Sequence, residues 1–568
     1  MRIYKYLLLV CMVGVMLASC GEEKPTHIKI VCTSDVHGNL YHQSLLTGEE
    51  VSGSLARVSS YLKELRKRGE DVVYIDNGDM LQGAPATYCY NTHAIGQTHV
   101  AAEALNYLGC EGVVLGNNDI ETGGPTYQRY MDDLEGVILG GNVVFEENGD
   151  PFLPPYTIVE REGVKIALLG LTTPAIPHWI PKCQWPELEF VDMERAARRW
   201  MKYLHERVEP DMVIGLFHSG YEGGIITDEY AENATLEVAR KVPGFDAIFY
   251  GHDHEARTTT IVNIEGDTVL LINPGKEARQ VATLDIVLNK EGVPTLNAAL
   301  VDMDNYTPDK EYTKIFAPHK ERIEKYLNRV LGVSTQEADA REALFGPSAL
   351  VDLIHQMQLE ISGAKISFAA PLVHDYMLPE GEVKVSDVYR LFPYENFLYV
   401  VWLTGEEIKD YLEMSYGRWT TQMTSPNDHL ILLDQTGERI QYPYYHFDSA
   451  AGIIYEVDVT KPIGQRVTIK CMADGTPFSM EARYMVAMNS YRAHGGGDLI
   501  TKGAGITHEQ MLKRLEYTTT VDLRFYMLNY IEMAKTIEPH PLHQWKFVPE
   551  QWTKEAAQRD RKALFGEE

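Results

Sequence analysis

The chain has 568 residues, 45% hydrophobic and 23% charged, so it is too apolar to be disordered and too long for a single hydrophobic core. Acidic residues outnumber basic residues 81 to 52, and the formal net charge is −29. Proteins that bind polymeric DNA or RNA normally present a basic surface, so this acidity argues against such a partner. The length predicts two domains.

The first twenty residues have the features of a bacterial lipoprotein signal peptide. Arg2 and Lys5 precede an apolar run at 7–17 that is too short to span a bilayer. The sequence Leu-Ala-Ser-Cys that follows resembles a lipobox, in which Cys20 becomes the lipidated N-terminus. A plain secretory signal with an incidental cysteine is the alternative. We expect residues 1–20 to act as a lipoprotein signal peptide whose Cys20 is retained and lipidated. The mature protein is then expected to be lipid-anchored outside the cytoplasm, in the periplasm or on the cell surface.

Runs rich in Val, Ile and Leu alternate with helical periodicity along the first half of the chain. Strands are predicted at 28–33, 72–76, 112–115, 164–171, 212–217, 247–250 and 269–272, and helices at 55–68 and 194–208. The pattern predicts a layered α/β domain over 27–307. A linker helix is predicted over 308–340, a second α/β domain over 341–535, and a C-terminal tail over 536–568.

Five of these apolar runs end in clusters of residues that can bind metal ions. The candidate ligands are Asp35, His37, Asp79, Asn117, His218, His252 and His254. Because ligands of α/β proteins bind beyond the carboxyl ends of the strands, we expect these clusters to converge. Carboxylate, imidazole and amide groups suit a borderline divalent ion such as Zn, Mn or Fe, and they are numerous enough for two ions.

Two of these pairs, Asp35 with His37 and His252 with His254, are spaced i, i+2. In an extended backbone such side chains point the same way, so each pair is expected to reach one site. Asp79 follows a glycine and has two carboxylate oxygens, and it is the candidate to bridge both ions.

Together the clusters resemble those of the calcineurin-like metallophosphoesterases, and within that group those of the 5′-nucleotidase and cyclic-nucleotide phosphodiesterase family. The resemblance implies an N-terminal α/β/β/α phosphoesterase domain and a C-terminal α/β substrate-binding domain of the 5′-nucleotidase type. It implies attack on phosphorus by a hydroxide that two divalent ions activate. It also implies one ion on Asp35, His37, Asp79 and His254, and a second on Asp79, Asn117, His218 and His252.

The chain departs from the family pattern at Asn118. The family sequence Gly-Asn-His-Asp/Glu places a catalytic histidine there, and the acidic residue that orients this histidine corresponds to Glu121. An amide carries neither a proton nor a positive charge, so turnover is expected to be slower by roughly two to three orders of magnitude, with metal binding intact. His178 is a candidate to compensate.

Two segments of the second domain resemble the 2′,3′-cyclic-nucleotide 2′-phosphodiesterase/3′-nucleotidase branch of the family. They are Tyr-Arg-Ala-His-Gly-Gly-Gly at 491–497 and Tyr-Tyr-His-Phe-Asp at 444–448. In that branch two aromatic rings sandwich the base. The resemblance assigns one ring to Tyr491 and the other to Tyr445, with Phe447 as competitor, and the implied substrate-binding set also contains Arg492, Gly495 and Gly496. The stretch 367–372 lacks the arginine of true 5′-nucleotidases, which favours the same branch.

The sequence therefore predicts an enzyme, a phosphoric ester hydrolase with two divalent ions that opens small 2′,3′-cyclic nucleotides and removes 3′-phosphates. A 5′-nucleotidase or UDP-sugar hydrolase on the same scaffold is one alternative. A non-catalytic nucleotide-binding lipoprotein is another, which Asn118 favours. Because the base and the ions are expected on different domains, a hinge motion about 308–340 is expected as well. The oligomeric state and the preferred base stay open.

Overall fold

The computed structural model describes residues 26–288, 294–437 and 439–566, and the predicted signal peptide with Cys20 lies outside these ranges. Two six-stranded sheets form an N-terminal domain, and a five-stranded sheet with smaller sheets forms a C-terminal domain. Within the described ranges, no helix combines the length and the apolar character needed to cross a bilayer.

The first N-terminal sheet is mostly parallel at its centre and antiparallel at one edge. Its strands, in spatial order, are Pro294–Asp302, Gln280–Leu288, Thr26–Thr33, Asp71–Asp76, Cys110–Val114 and Val137–Leu139. The strand Thr26–Thr33 pairs in parallel with Asp71–Asp76 and antiparallel with Gln280–Leu288. Parallel strands that are buried on both faces need continuous apolar runs, which is the pattern that the sequence shows.

The second N-terminal sheet packs face to face on the first. Its strands, in spatial order, are Arg257–Val262, Thr268–Asn273, Ala247–Tyr250, Met212–His218, Val164–Thr172 and Tyr156–Arg161. Buried aliphatic side chains of both sheets, such as Ile30, Ile75, Leu168 and Ile214, form one cluster between them. Apolar faces that meet in this way exclude water, and this is the main force that holds the two sheets together.

Helices cover the outer faces of the two sheets. Beside the first sheet lie Leu55–Lys67, Pro85–Thr92, Val100–Leu108 and Gly124–Asp133, and beside the second lie Met193–Tyr203 and Thr235–Lys241. The predicted α/β/β/α layering is therefore confirmed. Each strand predicted from the sequence lies within two residues of an observed strand at both ends, whereas the predicted helix 194–208 leaves the α-helical conformation after Tyr203 and ends in a π-turn, Leu204–Val208.

The predicted linker helix is shorter than expected. The helix Lys310–Leu327 begins after Asp309, whose side chain accepts a hydrogen bond from the Glu311 backbone N–H, and the chain then enters the strand Val330–Ser334 of the C-terminal domain. Tyr312 and Phe316 are fully buried, in a hydrophobic cluster to which both domains contribute. A hinge at this segment would have to disturb that cluster.

The C-terminal domain is built on a mixed sheet. The five strands, in spatial order, are Ser449–Ala451, Ile366–Ala369, Arg483–Asn489, Phe397–Thr404 and Leu515–Asp522. Two three-stranded sheets flank it, one with Gly381–Lys384, Val330–Ser334 and Thr536–Ile537, and one with Val467–Met472, Ile453–Asp458 and Trp545–Val548. Its main helices are Ala349–Ser362, Val385–Leu391, Gly405–Trp419, Ser490–Ala493, His508–Arg514, Leu523–Ala534 and Glu550–Phe565.

The segment predicted as a C-terminal tail is part of the C-terminal core. The strand Trp545–Val548 pairs in parallel with Ile453–Asp458, and the helix Glu550–Phe565 follows it. The alternating residues Trp545 and Phe547 point inward and are buried. Aromatic side chains of this size contribute strongly to a core, so this segment stabilises the domain.

Candidate metal centre

The first group of candidate ligands consists of Asp35, His37 and His254, whose ligand atoms all lie within 4.8 Å of one another. The Nε2 atoms of His37 and His254 are 3.0 Å apart, and Nε2 of His254 is 3.4 Å from Oδ1 of Asp35. Asp35 is fully buried, whereas the His254 side chain is 37% exposed. The group is thus anchored in the fold on one side and open to solvent on the other.

The second group consists of Asp79, His218 and His252, and Asn117 adjoins it. Nε2 of His218 is 3.3 Å from Oδ2 of Asp79 and 3.2 Å from Oδ1 of Asn117. The Asp79 carboxylate also interacts electrostatically with His37 of the first group. The position of Asp79 therefore suits a carboxylate shared between two ions.

The backbone at this centre is not extended. Five of the seven candidate ligands have a left-handed conformation, with φ of 51° at Asp35, 51° at His37, 56° at Asp79, 73° at His252 and 60° at His254. Such angles are uncommon for residues other than glycine, and they cluster at functional sites. The expectation that extended i, i+2 pairs share one site is wrong for the second pair, because His252 and His254 lie in different groups.

Asp119 joins the two loops that carry Asp79 and Asn117, a role that the sequence motifs did not reveal. Its carboxylate accepts hydrogen bonds from the backbone N–H groups of Asp79, Met80, Leu81 and Gly116 at 2.8–2.9 Å. The loops pack so closely that a Cβ on Gly116 would lie 2.0 Å from Oδ1 of Asp79. Glycine is therefore required at the first position of the Gly-Asn pair.

Backbone carbonyl groups set the histidine tautomers. Nδ1 of His37 lies 2.9 Å from the carbonyl oxygen of Gln82, and Nδ1 of His218 lies 2.7 Å from that of Asn77. Each Nδ1 then carries the proton, which leaves the unprotonated Nε2 for an ion, as in other metal-binding histidines.

The charges at the centre are those of a cation site. Burial acts to raise the pKa of Asp79, but His218 and the neighbouring histidines outweigh it and hold the pKa below its usual range. Burial acts to lower the pKa of His218, but the carboxylates of Asp79 and Asp35 raise it to about 10. Without an ion, a proton on His218 compensates the negative charge of these carboxylates. A bound divalent ion would take over that role, and the nitrogen and oxygen donors of the centre fit such an ion.

A third group of titratable residues, His27, Glu70 and Asp285, does not have this character. The Lys29 ammonium lies 3.2 Å from Oε2 of Glu70 and 3.0 Å from Oδ1 of Asp285. The two carboxylates are already paired with a cation, so this group is an ion-pair network.

The metal centre opens into a cleft between the two domains, a cavity of about 470 Å³. The N-terminal domain contributes His37, Gln82, Asn117, Asn118, Glu121 and Trp179 to its walls, and the C-terminal domain contributes Tyr394, Glu395, Asn396, Ser490, Tyr491, His494 and Gly496. A second pocket of about 240 Å³ shares Tyr394, Asn396 and Tyr491 with the cleft and also contains Tyr445, Leu372 and Asn489. We call it the tyrosine pocket.

Family models match both halves of the chain. The calcineurin-like phosphoesterase model matches residues 28–256, and the 5′-nucleotidase C-terminal domain model matches residues 330–502. The chain belongs to the calcineurin-like phosphoesterases that carry a 5′-nucleotidase C-terminal domain. It is an enzyme of the phosphoric ester hydrolase class, as are its named relatives.

Relatives of this phosphoesterase share modest identity over most of its length. The trifunctional nucleotide phosphoesterase protein YfkN of Bacillus subtilis is 24% identical over 92% of this chain, which spans only 39% of that protein. The 2′,3′-cyclic-nucleotide 2′-phosphodiesterase/3′-nucleotidase of Haemophilus influenzae is 25% identical over 94% of this chain and 89% of the relative. The crystal structure of a putative 5′-nucleotidase from Staphylococcus aureus has the same fold, with a TM-score of 0.71 and 19% identity over 92% of this chain and all of that one.

Asn118 of this phosphoesterase is held against the metal centre. Its backbone N–H and its Nδ2 donate to the two carboxylate oxygens of Asp79 at 2.8 and 2.9 Å, and its Oδ1 accepts from Nδ2 of Asn117 at 3.2 Å. Glu121 lines the same cleft, but its carboxylate accepts a hydrogen bond from Gln82 at 3.1 Å rather than one from Asn118. Burial, assisted by Glu395, raises the pKa of Glu121 to about 8.

Two of the expected substrate contacts are wrong. Phe447 is fully buried and stacks on Trp419, with ring centroids 5.4 Å apart, so it belongs to the C-terminal core. Arg492 is also buried, and its guanidinium donates to both carboxylate oxygens of Asp448 and to the Tyr445 carbonyl oxygen. Adjacent aromatic residues of one motif cannot be assigned to core or surface from the sequence, because a single turn decides which of them faces inward.

The tyrosine pocket contains the two predicted tyrosines, Tyr445 and Tyr491, and Gly496 lines the adjoining cleft. The rings of Tyr445 and Tyr491 have centroids 6.3 Å apart but stand at 76° to each other, so a flat base between them requires one ring to turn. A Cβ on Gly496 would lie 2.5 Å from the Tyr491 ring, and Gly495 has a φ of 93°. The two glycines therefore shape the turn that presents Tyr491.

Glu232 is a further residue at the centre that the motifs did not reveal. It lies on the strand Ala231–Asn233, and its Oε1 is 3.1 Å from Nε2 of His252. Its other carboxylate oxygen accepts from the backbone N–H of Ile225 at 2.7 Å, which fixes the carboxylate. A carboxylate that accepts the Nε2–H of a histidine leaves Nδ1 as the ligand atom and raises its basicity.

Proposed function

We propose that this enzyme hydrolyses phosphoesters of small nucleotides, namely 2′,3′-cyclic nucleotides and 3′-nucleotides. The observation that carries the proposal is the cleft itself. The candidate metal ligands, including His37 and Asn117, line one wall, and Tyr491 of the tyrosine pocket lines the opposite wall. A nucleotide has the matching form, a phosphate at one end and a flat base at the other. Relatives from Haemophilus, Salmonella and Yersinia that are named for this activity, 25%, 23% and 22% identical, support it.

The chemistry would divide between the two domains. Asp35, His37 and His254 would hold one ion, Asn117, His218 and His252 the other, and Asp79 would serve both. When bound, such ions stabilise charge on the phosphoryl oxygens and lower the pKa of a water molecule. The C-terminal domain orients the nucleoside, and Asn118 contributes an amide that donates hydrogen bonds but moves no proton.

The composition of the tyrosine pocket supports cyclic and 3′ substrates rather than 5′-nucleotides. Leu372, from the stretch where true 5′-nucleotidases carry an arginine, lines this pocket, and the described residues that line it include no cation. A 5′-nucleotidase is the second candidate, because a Vibrio parahaemolyticus relative of that name is 22% identical over 90% of this chain.

The proposed enzyme acts outside the cytoplasm, held to a membrane by a lipid on Cys20. The basis is the signal-like sequence at 1–20. Dephosphorylation of nucleotides outside the cytoplasm would give the enzyme a role in nucleotide salvage.

The decisive experiment compares phosphate release from 2′,3′-cyclic AMP, 3′-AMP, 5′-AMP and an aryl phosphate ester by residues 28–568 with Mn or Zn. Preference for the first two supports the proposal, and preference for 5′-AMP supports the second candidate. Tyr491→Ala is the matched control, since it should impair nucleotide hydrolysis but spare the aryl ester. If neither this protein nor its Asn118→His variant releases phosphate while nucleotide still binds, the protein is a binding module.

A further inference from the structure

His494 places an imidazole in the cleft that faces the metal centre. It is the variable residue of the motif at 491–497, and it lines the same cavity as Asn117, Asn118 and Glu121. No described residue forms a hydrogen bond with its ring nitrogens, and three neighbouring rings contact the imidazole. A polar ring without a partner, in the wall of a substrate cleft, is available to a ligand.

Three aromatic rings hold His494 in place. The Tyr399 ring meets it edge-on, with centroids 4.9 Å apart, and His178 and His508 lie at 6.3 and 6.1 Å. His178 stacks face to face on His508, with centroids 3.4 Å apart, so the two domains meet at this pair. His178 is stacked in this pair and does not line the described cleft, so it is not placed to compensate for Asn118.

His494 is a neutral imidazole in this setting. Burial, together with His508 and His178, lowers its pKa to about 3. A neutral imidazole has one N–H donor and one acceptor nitrogen. It therefore carries a donor into the cleft without the cost of burying a charge.

Asn118 has its backbone N–H and one of its two Nδ2 hydrogens committed to Asp79, so its amide is oriented by the metal centre. Both hydrogen bonds from Asn118 end on the Asp79 carboxylate, which belongs to the metal centre. A further donor stands on the opposite wall of the cleft, where His494 lies.

We propose that His494 donates an imidazole N–H hydrogen bond to the phosphate group of the bound nucleotide. The proposal deepens the proposed function and rests on it. It assigns recognition of the two ends of the nucleotide to neighbouring residues of one motif: Tyr491 for the base and His494 for the phosphate. The contact forms only when both domains enclose the ligand.

The test measures the binding of inorganic phosphate and of adenosine, separately, to the metal-loaded enzyme by calorimetry. Loss of a hydrogen bond to a charged group weakens binding by roughly tenfold or more. His494→Ala should therefore raise the dissociation constant of phosphate by that factor and leave the dissociation constant of adenosine unchanged. His494→Gln, which keeps a donor, should recover part of the loss. His540→Ala, at an exposed histidine of the C-terminal domain outside the cleft, should change neither constant, and metal content should be equal in all variants.

Equal weakening of phosphate and adenosine in His494→Ala would overturn the proposal, because the residue would then only shape the pocket. Unchanged binding of phosphate would overturn it as well. A native enzyme that binds phosphate but not adenosine, with phosphate binding still weakened by His494→Ala, would refute the proposed nucleotide substrate and leave the phosphate contact standing.

Discussion

Replacing Arg492 by methionine should unfold the base-binding wall without touching the metal centre. Nη2 and Nε of Arg492 lie 2.6 and 3.1 Å from the two carboxylate oxygens of Asp448, and the side chains are 1% and 4% exposed. The same guanidinium donates to the carbonyl oxygen of Tyr445 at 2.7 Å and to that of Gly496 at 2.5 Å. One buried side chain thus joins both segments that form the tyrosine pocket.

The expected loss of stability comes from Asp448, which loses its cationic partner. Methionine fills much of the volume but leaves the Asp448 carboxylate buried without a cation, which costs about 3–5 kcal/mol in comparable ion pairs. That is a large part of the roughly 5–15 kcal/mol that stabilises a typical protein. In Arg492→Met with Asp448→Leu no buried charge remains, so much of the loss should be recovered.

Urea unfolding monitored by tryptophan fluorescence measures this effect, since Trp419 and Trp545 are buried in the C-terminal core. The single variant should lower the midpoint of the C-terminal transition, abolish adenosine binding, and retain its metal ions and its hydrolysis of an aryl phosphate ester. A loss below about 1 kcal/mol, or a double variant that is less stable than the single one, would refute the reasoning about the buried charge.

Four further changes have expected outcomes. Asn118→His should raise kcat roughly a hundredfold or more, by restoring a group that can carry charge near the phosphate, with unchanged metal content; an equal rate would show that this position is not catalytic. Glu232→Gln should weaken binding of one of the two ions roughly ten- to hundredfold in a metal titration, while the exposed Glu229→Gln should not. In the metal-free protein, the pKa of Glu121 is raised to about 8 from an ordinary 4.5, so the folded state holds this proton more tightly than the unfolded state. The stability contributed by the protonated carboxyl is complete below pH 4.5 and is lost as the pH rises to about 8. The unfolding midpoint of Glu121→Gln should therefore fall less than that of the native protein between pH 4.5 and about 8. Cys20→Ala should move the protein from the membrane fraction to the soluble fraction of cells that express it, and a variant that stays with the membrane would exclude the lipid anchor.

The sequence by itself determined the layered N-terminal domain and the positions of the candidate ligands. Strands buried on both faces must be apolar throughout, so the end of each strand is recognised in the sequence as the position where polar residues begin, as at Asp35 and His218. In an α/β sheet those ends face one edge, and convergence of the clusters follows from that geometry. These inferences needed only the order of residues along each strand.

The tertiary structure alone decided which side chains complete the site. Glu232 reaches His252 from a strand 20 residues away, and His494 enters the cleft from the other domain. Tyr445 lines a pocket while Phe447, two residues later, lies in the core. Periodicity reports the burial of a regular strand or helix, but turns have no fixed period, and the packing of distant segments determines where their side chains point.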